Sequence, residues 1–190
     1  MTANSESMRL FYALWPDDET RAALQRIQQS MSGRLSAYAN LHLTLAFLGQ
    51  QPASALPVLE DILQRLPPLA PTLHVDRVGY FTRNRIAWAG MHDEPVTLHT
   101  LHDELAQALA EAGIRYTPDR TFRPHITLAR DASLPPDLVF DPITWRADQV
   151  VLVRSVTRPE GPIYTVVNAR PLDRQLWTSN EAEGNAAGRL

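Results

Sequence analysis

The sequence predicts an α+β fold assembled from two similar lobes, and three observations carry that reading. Apolar spacing switches between strand and helix periods in the order strand, helix, strand, helix, two strands, helix, then strands. No Gly-rich phosphate loop interrupts the alternation. Each half of the chain also sets a helix beside a strand bearing the pattern His, apolar, Thr, apolar. With 190 residues, 44% hydrophobic and 21% charged, the chain suits one bilobal unit better than several domains.

The elements follow in order. Residues 1–8 are polar and predicted to fray, and Arg9 to Leu14 reads as a strand stopped by Pro16. Asp17 and Asp18 then cap a helix with Ala22, Leu24 and Ile27 on one face and Gly33 beyond its end. Leu41 to Leu48, closed by Gly49, is the second strand, and Pro52 to Leu66 the second helix, with Leu56, Leu59, Ile62, Leu63 and Leu66 at helical spacing. Leu73 to Phe81 and Arg85 to Met91 form a hairpin through Thr82, Arg83 and Asn84. Pro95 to Ala112 is the third helix, with Leu98, Leu101, Leu105 and Leu109 on one face and Gly113 as its stop. Arg120 to Ala129 is a strand in which Pro124 marks an edge or a beginning. Residues 131–142, with Pro135, Pro136 and Pro142, form a loop. Thr144 to Val156 and Ile163 to Val167 are further strands. One domain is expected over residues 9–178, with residues 179–190 a disordered tail.

Composition removes whole classes of chemistry. No cysteine is present, which excludes disulfides, thiolate zinc sites and cysteine nucleophiles. All 18 basic residues are arginine, so lysine adenylates, Schiff bases and Walker-type phosphate loops are excluded as well. A net charge of −3 argues against coating nucleic acid by bulk electrostatics. A few arginines in a cleft can still capture one phosphate. No apolar run approaches the roughly 18 residues of a membrane span, and Leu10 to Trp15 is too short for a signal core. The expected protein is cytoplasmic, unprocessed and monomeric.

The His, apolar, Thr, apolar pattern occurs as His42-Leu43-Thr44-Leu45 and again as His125-Ile126-Thr127-Leu128. Composition alone would supply on the order of 0.1 such matches. A single histidine on a half-buried strand is ordinarily structural; duplication of the motif favours a functional reading. Along a strand, residues i and i+2 share a face, so each imidazole has a threonine hydroxyl beside it while the intervening residue enters the core. Two such devices across a groove could grip a phosphate and move protons on both sides of it. Histidine titrates near neutrality, so one neutral and one protonated copy can work together as base and acid. Threonine hydroxyls and arginine would stabilise charge on the non-bridging oxygens. Such chemistry needs no cofactor and no metal.

At these residues the chain resembles the 2H phosphoesterase superfamily, and more closely its bacterial RNA 2′,3′-cyclic phosphodiesterases, once named 2′-5′ RNA ligases. The likeness covers Arg9 to Leu172. It includes Arg9-Leu10-Phe11-Tyr12-Ala13-Leu14, Asn40 through Gly49, Arg85 through Gly90, Phe122 through Arg130, and Ser155 with Gly161 and Tyr164. The resemblance implies a bilobal fold with the motifs facing each other in a central groove. It also implies conversion of an RNA 2′,3′-cyclic phosphate end, or a cyclic nucleotide, to a 2′-phosphomonoester. By the same resemblance His42 donates a proton to the leaving 3′ oxygen, His125 accepts one from water, and Arg130 contacts the phosphate beside Thr44 and Thr127. The chain departs from the family in lacking its usual lysines and in reading Thr165-Val166-Val167 where a leucine is common.

Phe11 is placed to stack on a base at the groove edge, or to pack in the core, the commoner role. His99 and His102 stand on the third helix beside Asp103 and Glu104, a solvated face rather than a metal site. Two other functions stay open at this stage: cleavage or joining of 2′-5′ linkages, and a module that binds RNA ends without turnover.

Overall fold

A computed structural model describes residues 7–118, 121–159 and 161–172. In one lobe the central strand is β1 (Ser7–Leu14), flanked by β3 (Leu43–Pro52) and β9 (Gln149–Arg158), with β10 (Gly161–Pro171) outside β9. In the other, β7 (Ile126–Arg130) is followed by β6 (Ile86–Gly90) and β5 (Arg77–Phe81). A short strand β2 (Arg34–Leu35) also pairs with β7, and β4 (Thr72–Val75) with β8 (Ile143–Arg146) makes a separate ribbon. Every pairing is antiparallel.

Strand alternation divides the first lobe into two faces. Leu10, Tyr12 and Leu14 enter the main core with Leu59, Ile62 and Leu63 of α2 (Leu56–Arg65) and Leu98, Leu101, Leu105 and Leu109 of α3 (Val96–Glu111). The buried Tyr12 hydroxyl is satisfied by donating to the Leu59 carbonyl at 2.7 Å. Phe11 and Ala13 point the other way, into a smaller cluster with Val151, Val153, Trp15 and Tyr164. This second face carries the site. The remaining helix, α1 (Asp18–Gln28), is capped by Asp17, whose side chain accepts from the Thr20 amide, and it packs against β7 and β8.

The groove arises from how β7 shares one edge. At its beginning, β3 pairs with it through Leu43 and Ile126. Immediately beyond, the Ser36 amide and hydroxyl donate to the Leu128 and Thr127 carbonyls at 2.8 and 2.7 Å. Then β2 pairs with Ala129 and Arg130. Residues 34–36 therefore act as a wedge that takes up β7's hydrogen bonds and turns β3 away. Gln28, 3% exposed, ties α1 to the wedge by donating to the Leu128 and Ser36 carbonyls.

Several boundaries depart from the sequence reading. Ser7 and Met8 already belong to β1, paired with Pro52 and Gln51, because β3 continues past Gly49. Gly49, at φ 67°, lies within that strand beside a register shift instead of ending it. The second helix starts at Leu56 after a 3₁₀ turn over Ala53–Ala55. The expected strands Leu73–Phe81 and Thr144–Val156 each break in two, since β4 and β8 leave the main sheet to pair with each other. The strand expected from Arg120 begins only at Ile126. The N-terminal residues before Ser7 and the expected tail lie outside the described residues.

Candidate active site

Both motif histidines sit one residue before their strands, not within them as strand periodicity suggested. Each is anchored alike: Nδ1–H of His42 donates to the Asn40 carbonyl at 2.6 Å, and Nδ1–H of His125 to the Arg123 carbonyl at 2.7 Å. A carbonyl oxygen only accepts, so Nδ1 carries the proton in both rings and Nε2 is left for chemistry. In the neutral His42 ring, Nε2 accepts from the Thr44 hydroxyl at 3.0 Å.

The Leu43–Ile126 pair is the pivot of the site. Antiparallel register places the residues flanking this pair opposite one another, His42 towards Thr127 and Thr44 towards His125. The backbones of the two copies are thus related by a local two-fold, and Thr127 lines the same cavity as His42. Thr127 also pairs with Trp88 on its other side, which puts both on the groove face.

The walls differ. The His42 ring lies in an aromatic box, 4.9 Å from Phe11, 5.3 Å edge-on from Tyr164, and 5.9 Å from Trp15 in a stacked arrangement. His125 meets Phe81 edge-on at 5.0 Å and Trp88 at 6.3 Å. His42 opens into a narrow cavity of about 100 Å³, on which Thr127, Arg130, Arg34 and Tyr164 also converge. His125 borders a wide one of about 650 Å³ with Phe81, Arg83, Thr121 and Arg123.

Burial pushes the His42 imidazole down to about 4. The Asn40 carbonyl opposes this, and the positive charges of His125, Arg130 and Arg21 add to it. Burial therefore holds His42 neutral at pH 7. A phosphate anion between the histidines would act in the opposite sense, favouring the imidazolium. Burial raises the Tyr164 phenol, while Arg130 and Arg9 oppose that rise.

His42, Thr127 and Arg130 line one cavity, and of the two roles open to Phe11 it takes the core one. Phe11 is 2% exposed, with its ring against His42 and Tyr164, so it packs behind the imidazole and has no free face for a base. The exposed aromatic on this face is Phe47, 44% exposed, paired with Phe11 across β1 and β3 and covered by the Arg9 guanidinium at 4.9 Å. Register shifts on both sides of it turn Phe47 to the groove face, a displacement that simple alternation does not reveal. His99 and His102 keep side chains 40% and 23% exposed beside Glu94 and Asp103 on a partly solvated helix face, and both rings also pack on Phe122, His102 stacked at 4.0 Å.

Three further residues escaped the sequence reading. Asn40 anchors His42 and also donates from Nδ2 to the Pro162 carbonyl at 2.8 Å, joining the β9–β10 hairpin to the site. Gly33, at φ 85°, abuts the Arg130 backbone, where a Cβ would stand 2.5 Å from the Arg130 carbonyl oxygen. Gly79 lies under Trp88, leaving 2.0 Å between a hypothetical Cβ and the indole. Among the described residues, no group of three or more His, Cys, Asp or Glu side chains is placed to hold a metal.

Comparison with known proteins gives a consistent picture. Residues 16–158 match the model of the 2′-5′ RNA ligase superfamily. The RNA 2′,3′-cyclic phosphodiesterase of Escherichia coli is 38% identical over 133 residues, covering 68% of this chain and 75% of the relative. That of Thermus thermophilus is 35% identical over 175 residues, covering 84% and 88%. The crystal structure of E. coli LigT in its apo form superposes with a TM-score of 0.77 at 31% identity, covering 90% of this chain and all of the other.

Proposed function

The chain belongs to the 2′-5′ RNA ligase superfamily and is a hydrolase with 2H phosphoesterase activity, and from that premise we propose that it opens RNA 2′,3′-cyclic phosphate ends to 2′-phosphomonoesters. The observation that supports this reading is the Leu43–Ile126 pairing, beside which the two carbonyl-anchored imidazoles stand one residue before their strands. The phosphate belongs at the smaller cavity, where His42, Thr127 and Arg130 converge. In the proposed step His125 Nε2 takes a proton from water as the water oxygen bonds to phosphorus. The bond from phosphorus to O3′ breaks as His42 Nε2 gives its proton to that oxygen. Thr44, Thr127 and Arg130 hold the non-bridging oxygens.

His42 must be protonated for this role, and the substrate's own negative charge favours the imidazolium against burial. Phe47 offers the terminal base an exposed ring, a contact tolerant of any base. Two imidazoles complete the proton transfers without a Lewis acid, so chelators should leave the rate unchanged; a requirement restored by zinc or magnesium would contradict the scheme. No helix among the described residues is long and apolar enough to cross a membrane. We read the protein as a cytoplasmic monomer acting on RNA ends.

Phosphorus NMR of a 2′,3′-cyclic nucleotide incubated with the protein tests the reaction. A 2′-phosphomonoester is expected; an unopened ring or a 3′-phosphomonoester would refute it. The 650 Å³ cavity beside His125 favours a second reaction, because water alone occupies about 30 Å³. An alcohol of a second nucleotide could enter there in place of water, and its reversal would cleave a 2′-5′ linkage. Incubation with a 2′-5′-linked dinucleotide separates the two reactions.

A further inference from the structure

The guanidinium of Arg21, in the first turn of α1, is buried without good reason in terms of stability. The residue is 8% exposed, and among the described residues its Nε and Nη2 have no hydrogen-bond partner. Its ion-pair contact, Asp18, stands 3.8 Å from Nη1 and is itself almost wholly exposed. A buried charge so weakly compensated costs folding free energy. Burial lowers its own pKa, with Asp18, Tyr38 and Asp17 opposing. The guanidinium lies instead over the Trp15 ring, 5.2 Å from its centroid, and Trp15 stacks on His42 at 5.9 Å and 26°. Trp15 links the end of β1 to the Asp17 cap of α1, so helix, indole and imidazole form one continuous stack.

We propose that Arg21 is a positioning residue which, through Trp15, holds the His42 ring in place and makes its protonation depend on the arrival of an anionic phosphate. The inference rests on the assignment of His42 to the reacting pair. Three groups face that ring from the elements around it, His125 and Arg130 from β7 and the residue before it and Tyr164 from β10, with Arg34 of β2 lining the same cavity and Arg21 of α1, beside Asp18, acting from behind the Trp15 indole. None of the three is a carboxylate. Phe11 and Trp15 shield one side of the ring, so its charge balance is weighted by these cations until an anion enters the cavity on its open side. Arg21 is the one of these cations that stands behind the indole, where a substrate's oxygens do not reach it through the cavity; its field persists when phosphate binds to Arg130. Proton uptake at His42 thereby accompanies phosphate binding and readies the ring as an acid when there is a leaving group to protonate.

The test is a proton-carbon NMR titration of His42 in the full chain, with and without sulfate, which stands in for phosphate without titrating. In the wild-type protein the midpoint should lie well below the usual histidine range and rise on adding sulfate. Arg21→Gln should raise the sulfate-free midpoint by on the order of half a pH unit, as removal of one nearby charge predicts. Arg21→Lys should restore it, and the limb of the kcat/KM profile belonging to His42 should move only in the Gln variant. Trp15→Leu, which removes the intermediary, should also raise the midpoint and serves if Arg21→Gln does not fold. An unmoved midpoint in the folded variant, or the same movement in Gln and Lys, would overturn the proposal. The titration reads without turnover, so an inactive wild-type protein would refute the proposed function and leave this measurement intact.

Discussion

The two histidines share a motif, a carbonyl anchor and a position just before a strand, yet they stand in different surroundings. His42 is enclosed by Phe11, Trp15 and Tyr164 over a narrow cavity, whereas His125 meets Phe81 and Trp88 beside a wide one. The repeated motif anchors both rings alike at Nδ1, and the closer walls around His42 bury that imidazole and keep it neutral. In the proposed reaction a local two-fold in the backbone would serve a step that is not symmetric, with a proton given on one side of phosphorus and taken on the other.

The largest effect should come from the motifs themselves. His42→Ala and His125→Ala should each lower turnover of a cyclic nucleotide by roughly two to four orders of magnitude, despite their unlike walls. Steady-state kinetics with circular dichroism will show whether folding is retained. Next is Arg130→Ala, expected to cost on the order of 10²–10³ in kcat if its guanidinium bears on the developing charge. A rise in KM alone would reduce Arg130 to ground-state binding.

Smaller effects should separate the walls. Gly79→Ala would drive a methyl into the Trp88 indole and should cost about 1–3 kcal/mol of stability by overpacking, as denaturant unfolding would measure. Its kinetic effect should be carried by the His125 side, leaving the His42 titration unmoved. A further expectation concerns acid. His42 is held down to about 4 when folded and returns to its ordinary value when unfolded. The unfolded chain therefore binds more protons between those values, and stability falls as pH drops from about 6.5 through about 4, with a slope of up to ~1.4 kcal/mol per pH unit. His42→Gln should remove that component, seen as a flatter dependence of the denaturation midpoint on pH.

Much of this was legible in the sequence because it depends on local pattern. Leu98, Leu101, Leu105 and Leu109 marked α3, and Asp17 marked the start of α1, through spacing and capping chemistry. His42 and His125 stood out because an improbable pattern occurred twice. What escaped depends on partners distant in the chain. The split at Asp76 follows from β4 pairing with β8 far along the chain, as in the Leu73–Trp145 pair. The wedge of residues 34–36 is too short to carry a period. Phe11 takes the commoner core role, and Phe47 was not singled out because register shifts in β3 alter the alternation that sequence reasoning assumes. Trp15 and Arg21 form a stack only once β1 and α1 are folded against the site.

Whether His42 and His125 work on one phosphorus in one step is tested most directly by the double variant. If they do, His42→Ala/His125→Ala should lose about as much turnover as either single change, since a step already deprived of its acid gains little more harm from losing its base. Losses that multiply across the two sites, or near wild-type turnover in either single variant, would contradict a shared step.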